Sequence, residues 1–267
     1  MSQVSTGIVF RPQSPPEQLR EVVEAADAAA GVDELWLWED CFLEGGLTTA
    51  ALALAWSTRL RVGIGLLPVP LRNPAVVAME VATLARVFPD RFVVGVGHGV
   101  LDWMGQVGAR AASPMTLLRE HTSAVVALLA GERVTVSGEH VRLDDVALDW
   151  PPARPPQLLV GARGPRTVRL GGELADGVLL DAVAGPEEVA RARATAQEGR
   201  RSAGREGHVH LTTYAEIGTA EVSAAAVSAR VDRLAAAGAD TVVLQSDADR
   251  PDPRPLVAAL QERVRAG

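Results

Sequence analysis

Lysine is absent: all 26 basic residues are arginine. Schiff-base chemistry on a lysine amine is thereby excluded, and with it aldolase-type and pyridoxal-type mechanisms. A Walker-type phosphate loop is excluded for the same reason. Cysteine is limited to Cys41, which rules out an internal disulfide and a cysteine-rich zinc site. No apolar run approaches the length of about 18 residues that a membrane span needs. Met1 to Gly7 shows no basic, apolar and small-residue order of a secretory leader, so a cytoplasmic location is expected. Positive charge is in deficit, with a formal net charge of −7, which argues against a general nucleic-acid partner.

What is present is a chain of 267 residues, 48% of them apolar, enough for one sizeable core and read as a single domain over residues 1–267. Short runs rich in Val, Leu and Ile alternate with longer amphipathic segments. The predicted strands are Gly7–Phe10, Glu34–Trp38, Arg61–Leu67, Phe92–Val96, Gln157–Val160, Gly177–Leu180, His208–Thr213 and Thr241–Leu244. Little polar alternation occurs within them, as in a parallel sheet covered on both faces. The predicted helices are Pro16–Ala29, Thr48–Trp56, Pro74–Phe88, Pro114–Leu129, Arg166–Leu174, Pro186–Gly199, Ser223–Ala237 and Arg254–Arg265. Eight strand–helix units of this length predict an α/β fold, a (β/α)₈ TIM barrel with its active site at the strand C-termini, a doubly wound open sheet being the alternative. Gly131 to Trp150 interrupts the pattern and reads as a small hairpin inserted before strand 5, followed by a proline-stiffened connector.

The most informative run is Gly161-Ala162-Arg163-Gly164-Pro165-Arg166-Thr167, between a predicted strand and a predicted helix. Free N–H groups and the positive end of the dipole favour an anion there, and the glycines allow close approach. Pro165 also suits an ordinary first helical turn, so the run fits either a phosphate cradle or a well-made strand-to-helix connection. Gly63 and Gly65 near the end of the third strand predict a bulge or a close ligand approach. Asn73 and Pro74 are explained by helix capping alone. Gly95-Val96-Gly97-His98-Gly99 lacks the third glycine of a dinucleotide fingerprint, since Val100 stands there.

Taken together, Glu34 to Asp40, Gly63 to Pro74, Arg91 to Gly99, and Gly161 to Thr167 followed by Leu170 to Gly177 resemble the bacterial luciferase-like oxidoreductases, especially the branch that uses the deazaflavin coenzyme F420. The resemblance implies a (β/α)₈ barrel binding the deazaflavin or FMN at the strand C-termini. It places Asp40 at the polar edge of the ring, the Gly65–Leu66 peptide, often cis in this family, behind its plane, Gly97 nearby, and the phosphate on Gly161, Ala162, Arg163, Gly164 and Pro165. It also implies a homodimer, with the apolar helix Pro74–Phe88 as a candidate interface, the alternative being that its apolar face packs against its own barrel. The sugar-phosphate dehydrogenases of the family carry a histidine where this chain has Cys41 and a glutamate where it has Val100, so their activity is not expected.

Phe10, Trp38, Cys41, Val100, Trp103 and Met104 are candidates for a wall against a small-molecule substrate, as they fall at or beyond strand ends or, for Cys41, beside the substrate side. Glu39 and His98 are the candidate proton donors. The expected activity is hydride transfer between F420 and a small organic substrate; FMN in its place implies a monooxygenase. Two readings of another class stand beside it: a metal-dependent hydrolase using His208 and His210, and a non-catalytic binder of a phosphorylated ligand. No metal is expected on the preferred reading.

Overall fold

A computed structural model describes residues 4–266, so the first three residues of the Met1–Gly7 segment lie outside the described part. Eight parallel strands close into a barrel: β1 (Ser5–Phe10), β2 (Glu34–Leu37), β3 (Arg61–Pro68), β4 (Phe92–Gly97), β7 (Gln157–Gly161), β8 (Gly177–Leu180), β9 (His210–Glu216) and β10 (Thr241–Gln245), with β10 pairing back onto β1. β5 (Val134–Ser137) and β6 (Arg142–Val146) form a separate antiparallel pair. The helices outside the barrel are α1 (Leu19–Ala28), α2 (Gly46–Trp56), α3 (Pro74–Val87), α4 (Leu101–Gln106), α5 (Pro114–Leu129), α6 (Pro165–Leu174), α7 (Pro186–Ser202), α8 (Ala224–Ala236) and α9 (Arg254–Ala266). No helix among the described residues is long and apolar enough to cross a membrane.

The barrel, rather than an open sheet, accounts for the double burial of the strands. Along β1, successive side chains point to opposite faces. Val9 joins Trp36, Val93, Leu159, Leu179, Tyr214 and Val243 in one cluster, contributed by seven of the barrel strands, whereas Phe10 belongs to the larger cluster shared with the helices. The eighth strand, β3, supplies no side chain at this level because Gly63 is there. A Cβ on Gly63 would lie 2.6 Å from the Trp36 ring, so the missing side chain makes room for the indole. Trp36 is fully buried, and its Nε1 donates to Glu34 Oε2 at 2.8 Å, which satisfies its polar atom.

The polar lower layer is consistent with that arrangement. Arg61 donates to Glu34 at 2.6 Å and to Gln157 at 2.9 Å, pinning β2, β3 and β7 together. Burial raises the pKa of Glu34, opposed chiefly by the Arg61 charge.

Local chemistry sets several boundaries differently from the predicted ones. α2 begins at Gly46 rather than Thr48 because the Glu39 carboxylate accepts the Gly46 N–H at 2.8 Å and so acts as its cap from outside the helix. α4 was not predicted; six residues carry too little periodicity, and glycines with positive φ, Gly99 (69°) and Gly108 (70°), bracket it. β9 begins at His210, two residues later than predicted, leaving His208 outside the strand. The hairpin forms where predicted. Glu120 on α5 holds its turn, accepting the N–H groups of Glu139, His140 and Val141 at 2.9 Å each, while Val141 and Leu143 are buried in the main core.

Candidate active site

At the C-terminal ends of the strands lies a cleft of about 680 Å³, within the usual range for small-molecule and cofactor sites. Its floor comes from β3. The register against β4 shifts between Ile64 and Leu67, and the Gly65–Leu66 peptide in that bulge is cis, as the resemblance implied. The Cys41–Phe42 peptide is also cis. The Tyr214 hydroxyl, reaching across from β9, donates to the Gly65 carbonyl at 3.2 Å. Tyr214 itself is wedged edge-on against Trp36 and Trp38, with ring centroids 5.9 and 5.5 Å away. Burial raises its pKa above the ordinary tyrosine range, so the phenol stays protonated and remains a donor.

Leu66 rises from the bulge into the cleft. Cβ atoms on Gly97 and Gly161 would come within 2.6 and 2.3 Å of its Cδ2. Gly97 is therefore a seat for Leu66: it is buried and does not reach the cleft, contrary to its expected place on the ligand surface. Gly161 serves the same seat and also lines the cleft.

The glycine-rich turn occupies one end of the cleft. β7 ends at Gly161, Ala162 N–H is tied to the Leu179 carbonyl at 2.9 Å, and α6 starts at Pro165 with Gly164 as its N-cap. No side chain caps this end. Pro165 has no N–H, and those of Arg166 and Thr167 lie in the first turn, where no intrahelical acceptor exists. A Cβ on Gly164 would meet nothing within 4 Å, so the space in front of the helix is open. Arg163 pairs with Asp181, just past the end of β8, and both line the cleft, as do Ala162 and Gly164. Pro165 is exposed at the first helical position and is not part of the cleft wall.

His98, predicted as a proton donor, stands at this same end. Its Nε2 is 3.4 Å from the Thr167 hydroxyl on the first turn of α6. Burial lowers its pKa, opposed by a backbone hydrogen bond to Pro114, so the imidazole is neutral near pH 7.

Glu39 is corrected. It lines the cleft, but both of its oxygens are engaged by the Arg72 guanidinium, at 2.7 Å for one of them, and one oxygen also accepts the Gly46 N–H. Arg72 is itself fixed by its carbonyl, which lies 3.2 Å from His121 Nε2. A carboxylate held in this way positions the loop between β2 and α2 and has no free oxygen to offer a reactant. Asp40, the next residue, differs: it is half-buried on the cleft surface, and among the described residues nothing hydrogen-bonds its carboxyl. Burial raises its pKa, with Arg11 acting in the opposite sense.

Trp38 lies beside Asp40, its ring covered by the Arg11 guanidinium at 5.0 Å. Arg11 is buried and anchored to the Ser246 carbonyl at 2.6 Å. Val100, Leu101 and Trp103 form the opposite wall. Three other wall candidates fail. Phe10 has no exposure because it points outward into the helix layer. Met104 is buried with its thioether against Gly99, anchoring α4. Cys41 is half-buried beside the cleft but does not line it, and burial, Glu39 and Asp40 all raise its thiol pKa.

The metal-hydrolase reading also fails on placement. His208 is exposed ahead of β9, with Nε2 2.9 Å from Asp240, and His210 starts β9, 3.2 Å from the Thr241 hydroxyl. Both therefore sit at the N-terminal end of the barrel, away from the cleft. No group of three or more metal-type ligands occurs among the described residues.

Arg11, Tyr214 and Asp181 were not singled out in the sequence. Each follows from strand ends that meet only when the barrel closes, and the one available signal was that Tyr214 is the sole tyrosine.

These features define a parallel barrel whose strand ends enclose a cleft with a helix N-terminus at one end and a bulged glycine peptide as its floor. The chain belongs to the luciferase-like monooxygenase family, whose model matches residues 3–266. It is 28% identical over 243 residues to a 5,10-methylenetetrahydromethanopterin reductase of Methanolobus tindarius, covering 90% of this chain and 73% of that one. It is 32% identical over 180 residues to an F420-dependent glucose-6-phosphate dehydrogenase of Nakamurella multipartita, spanning 61% of this chain but only 52% of the relative. In fold it matches the F420-dependent tetrahydromethanopterin reductase of Methanopyrus kandleri, with a TM-score of 0.83, 18% identity and 98% of each chain covered. A type II Baeyer–Villiger monooxygenase of Pseudomonas putida in complex with FMN gives a TM-score of 0.76 at 15% identity, over 97% of this chain and 96% of that one.

Proposed function

We propose that this chain is an oxidoreductase that binds the deazaflavin F420 in the cleft and transfers a hydride between it and a small organic substrate. The observation that carries this reading is the meeting, in one cleft, of an open, uncapped helix N-terminus, a raised Leu66 floor and a half-buried carboxyl without a partner. The residues fit the cofactor. The open space in front of Gly164, which a side chain would fill, would take the phosphate on the first-turn N–H groups of α6, with Arg163, Thr167 and His98 nearby. Leu66, on the bulge whose Gly65 carbonyl Tyr214 holds, would back the ring. Asp40 would meet the polar edge of the ring.

The bound group supplies the two-electron chemistry. The chain would orient it: Leu66 would lie behind the ring and leave the side of Trp38, Val100 and Trp103 for the substrate. A substrate seated on those walls would displace the water that otherwise covers them. Asp40, with its raised pKa, holds or releases a proton at the ring edge.

The relatives named for F420 favour this cofactor; FMN would fill the same cradle and make the protein a monooxygenase. Anaerobic titration with each, followed by the cofactor's own absorbance, separates the two. Tight F420 binding with weak FMN binding supports the reading, and binding of neither removes it.

We also propose a homodimer through α3, where Val76, Met79 and Val87 are exposed beside Trp150, itself 72% exposed. Sedimentation at micromolar concentration tests it, with Met79→Glu expected to give monomers.

A further inference from the structure

We infer that the substrate taken by this cleft is uncharged and largely apolar, and that Val100 and Leu101 determine that preference. This rests on the oxidoreductase reading of the same site and names its substrate class.

The first argument is charge. Four carboxylates line the cleft, Glu39, Asp40, Asp102 and Asp181, against two guanidinium groups, Arg110 and Arg163. Neither guanidinium is free on the substrate side. Arg163 pairs with Asp181 at the end occupied by the α6 N-terminus, and Arg110 is shared with Asp102 at 3.7 Å on the exposed rim. Two further cations stand near the floor: Arg72 is spent on Glu39, and Arg11, lying over the Trp38 ring, is held by the Ser246 carbonyl and by Glu216 at 3.5 Å. Each of these cations is matched by a carboxylate, so a phosphate or carboxylate on the substrate would have to displace a carboxylate already in place.

The second argument is the wall. Val100 and Leu101 are 46% and 49% exposed, and both line the cleft with Trp103. Met104, on the same short helix, turns inward and is 1% exposed, so α4 is held firmly while its two neighbouring aliphatic side chains face open space. Leu66, Pro68 and Trp38 extend the apolar surface across the cleft. Covering aliphatic surface that otherwise stands in water is what this wall offers a ligand.

The experiment uses protein loaded with oxidised F420 and two probes, 4-phenyl-2-butanone and glucose 6-phosphate, with dissociation constants from saturation-transfer NMR and any cofactor reduction followed by absorbance. The ketone is expected to bind, and glucose 6-phosphate neither to bind nor to reduce the cofactor. Val100→Asp is expected to weaken the ketone about tenfold or more, while Val100→Ile keeps it within about threefold. The affinity for F420 is titrated on each variant, so that a change in cofactor binding is told apart from a change in the wall. Binding or oxidation of glucose 6-phosphate would overturn the inference, as would unchanged ketone affinity in Val100→Asp. Failure to load F420 at all counts against the oxidoreductase reading instead, and the same ketone titration on unloaded protein still decides the character of the wall.

Discussion

The Tyr214 hydroxyl and the Gly65 carbonyl, 149 residues apart in the chain, meet across the mouth of the barrel at 3.2 Å. The contact ties β9 to the β3 bulge and holds the peptide beneath the cleft. A Cβ on Gly65 would lie 2.0 Å from that hydroxyl, so the tyrosine also requires glycine at position 65. Tyr214→Phe removes the donor while keeping the ring against Trp36 and Trp38. The expected loss of stability is about 0.5–1.5 kcal/mol by denaturant titration, accompanied by weaker F420 binding. Wild-type values for both would show that the contact does not support the floor.

Gly164→Val directs a branched side chain into the open space before α6. Nothing within 4 Å opposes its Cβ, so the unfolding midpoint should shift little. F420 affinity should fall by about two orders of magnitude, because the side chain occupies the place proposed for the phosphate and blocks the first-turn amides. Unchanged affinity would move the anion site elsewhere.

Glu39 is expected to be structural, and two variants distinguish that from catalysis. Glu39→Ala strips the buried carboxylate from Arg72 and from Gly46 N–H, and should cost about 3–5 kcal/mol of stability, measured by chemical denaturation. Glu39→Gln retains a hydrogen-bond acceptor and should lie between that variant and wild type in stability, with turnover following the folded fraction. Loss of turnover in a fully folded Glu39→Gln protein would restore Glu39 as an acid.

Asp40→Asn keeps the shape of the side chain and removes its titration. With its pKa raised by burial, Asp40 should impose an ionisation on the pH profile of turnover above the ordinary aspartate range. That ionisation should vanish in Asp40→Asn. An identical profile would take Asp40 out of the reaction.

Stability should fall with acid in a particular window. His121 and His210 have pKa values lowered by burial to about 4, against an ordinary value near 6.5. Between these limits the unfolded chain binds more protons, so the stabilisation is complete above about pH 6.5 and is lost as the pH falls towards 4. The slope contributed by each histidine approaches about 1.4 kcal/mol per pH unit. Glu44 acts in the opposite sense: burial raises its pKa to about 7, so its contribution is greatest below its ordinary value of 4.5 and declines as pH rises through 7. Glu44→Gln should therefore steepen the net loss of stability towards acid. Denaturant titrations from pH 4 to 8 measure both, and a flat profile would contradict the burial of these groups.

Much of the barrel was legible because its signals are local. A run such as Gln157–Val160 is apolar throughout, and Gly164-Pro165 marks the start of α6 whatever the rest of the chain does. The wall was less legible. Phe10 ends a strand, as a wall residue should, but whether a strand end faces the lumen or the helices depends on register, and Val9 takes the inward position. Glu39 has the residue type of an acid catalyst, and only the approach of Arg72, 33 residues on, shows that its oxygens are occupied.

The sequence by itself determined the alternation of strands and helices, the inserted hairpin and the uncapped glycine-rich turn, since these depend on periodicity, proline and glycine within a few residues. Tertiary structure decided which side chains share the cleft, which carboxylates are already paired, and that Gly63 and Gly97 exist to accommodate Trp36 and Leu66. The physical reason is that closing a barrel brings together strand ends far apart in the chain, and pairing and packing between them depend on a geometry that no local pattern encodes.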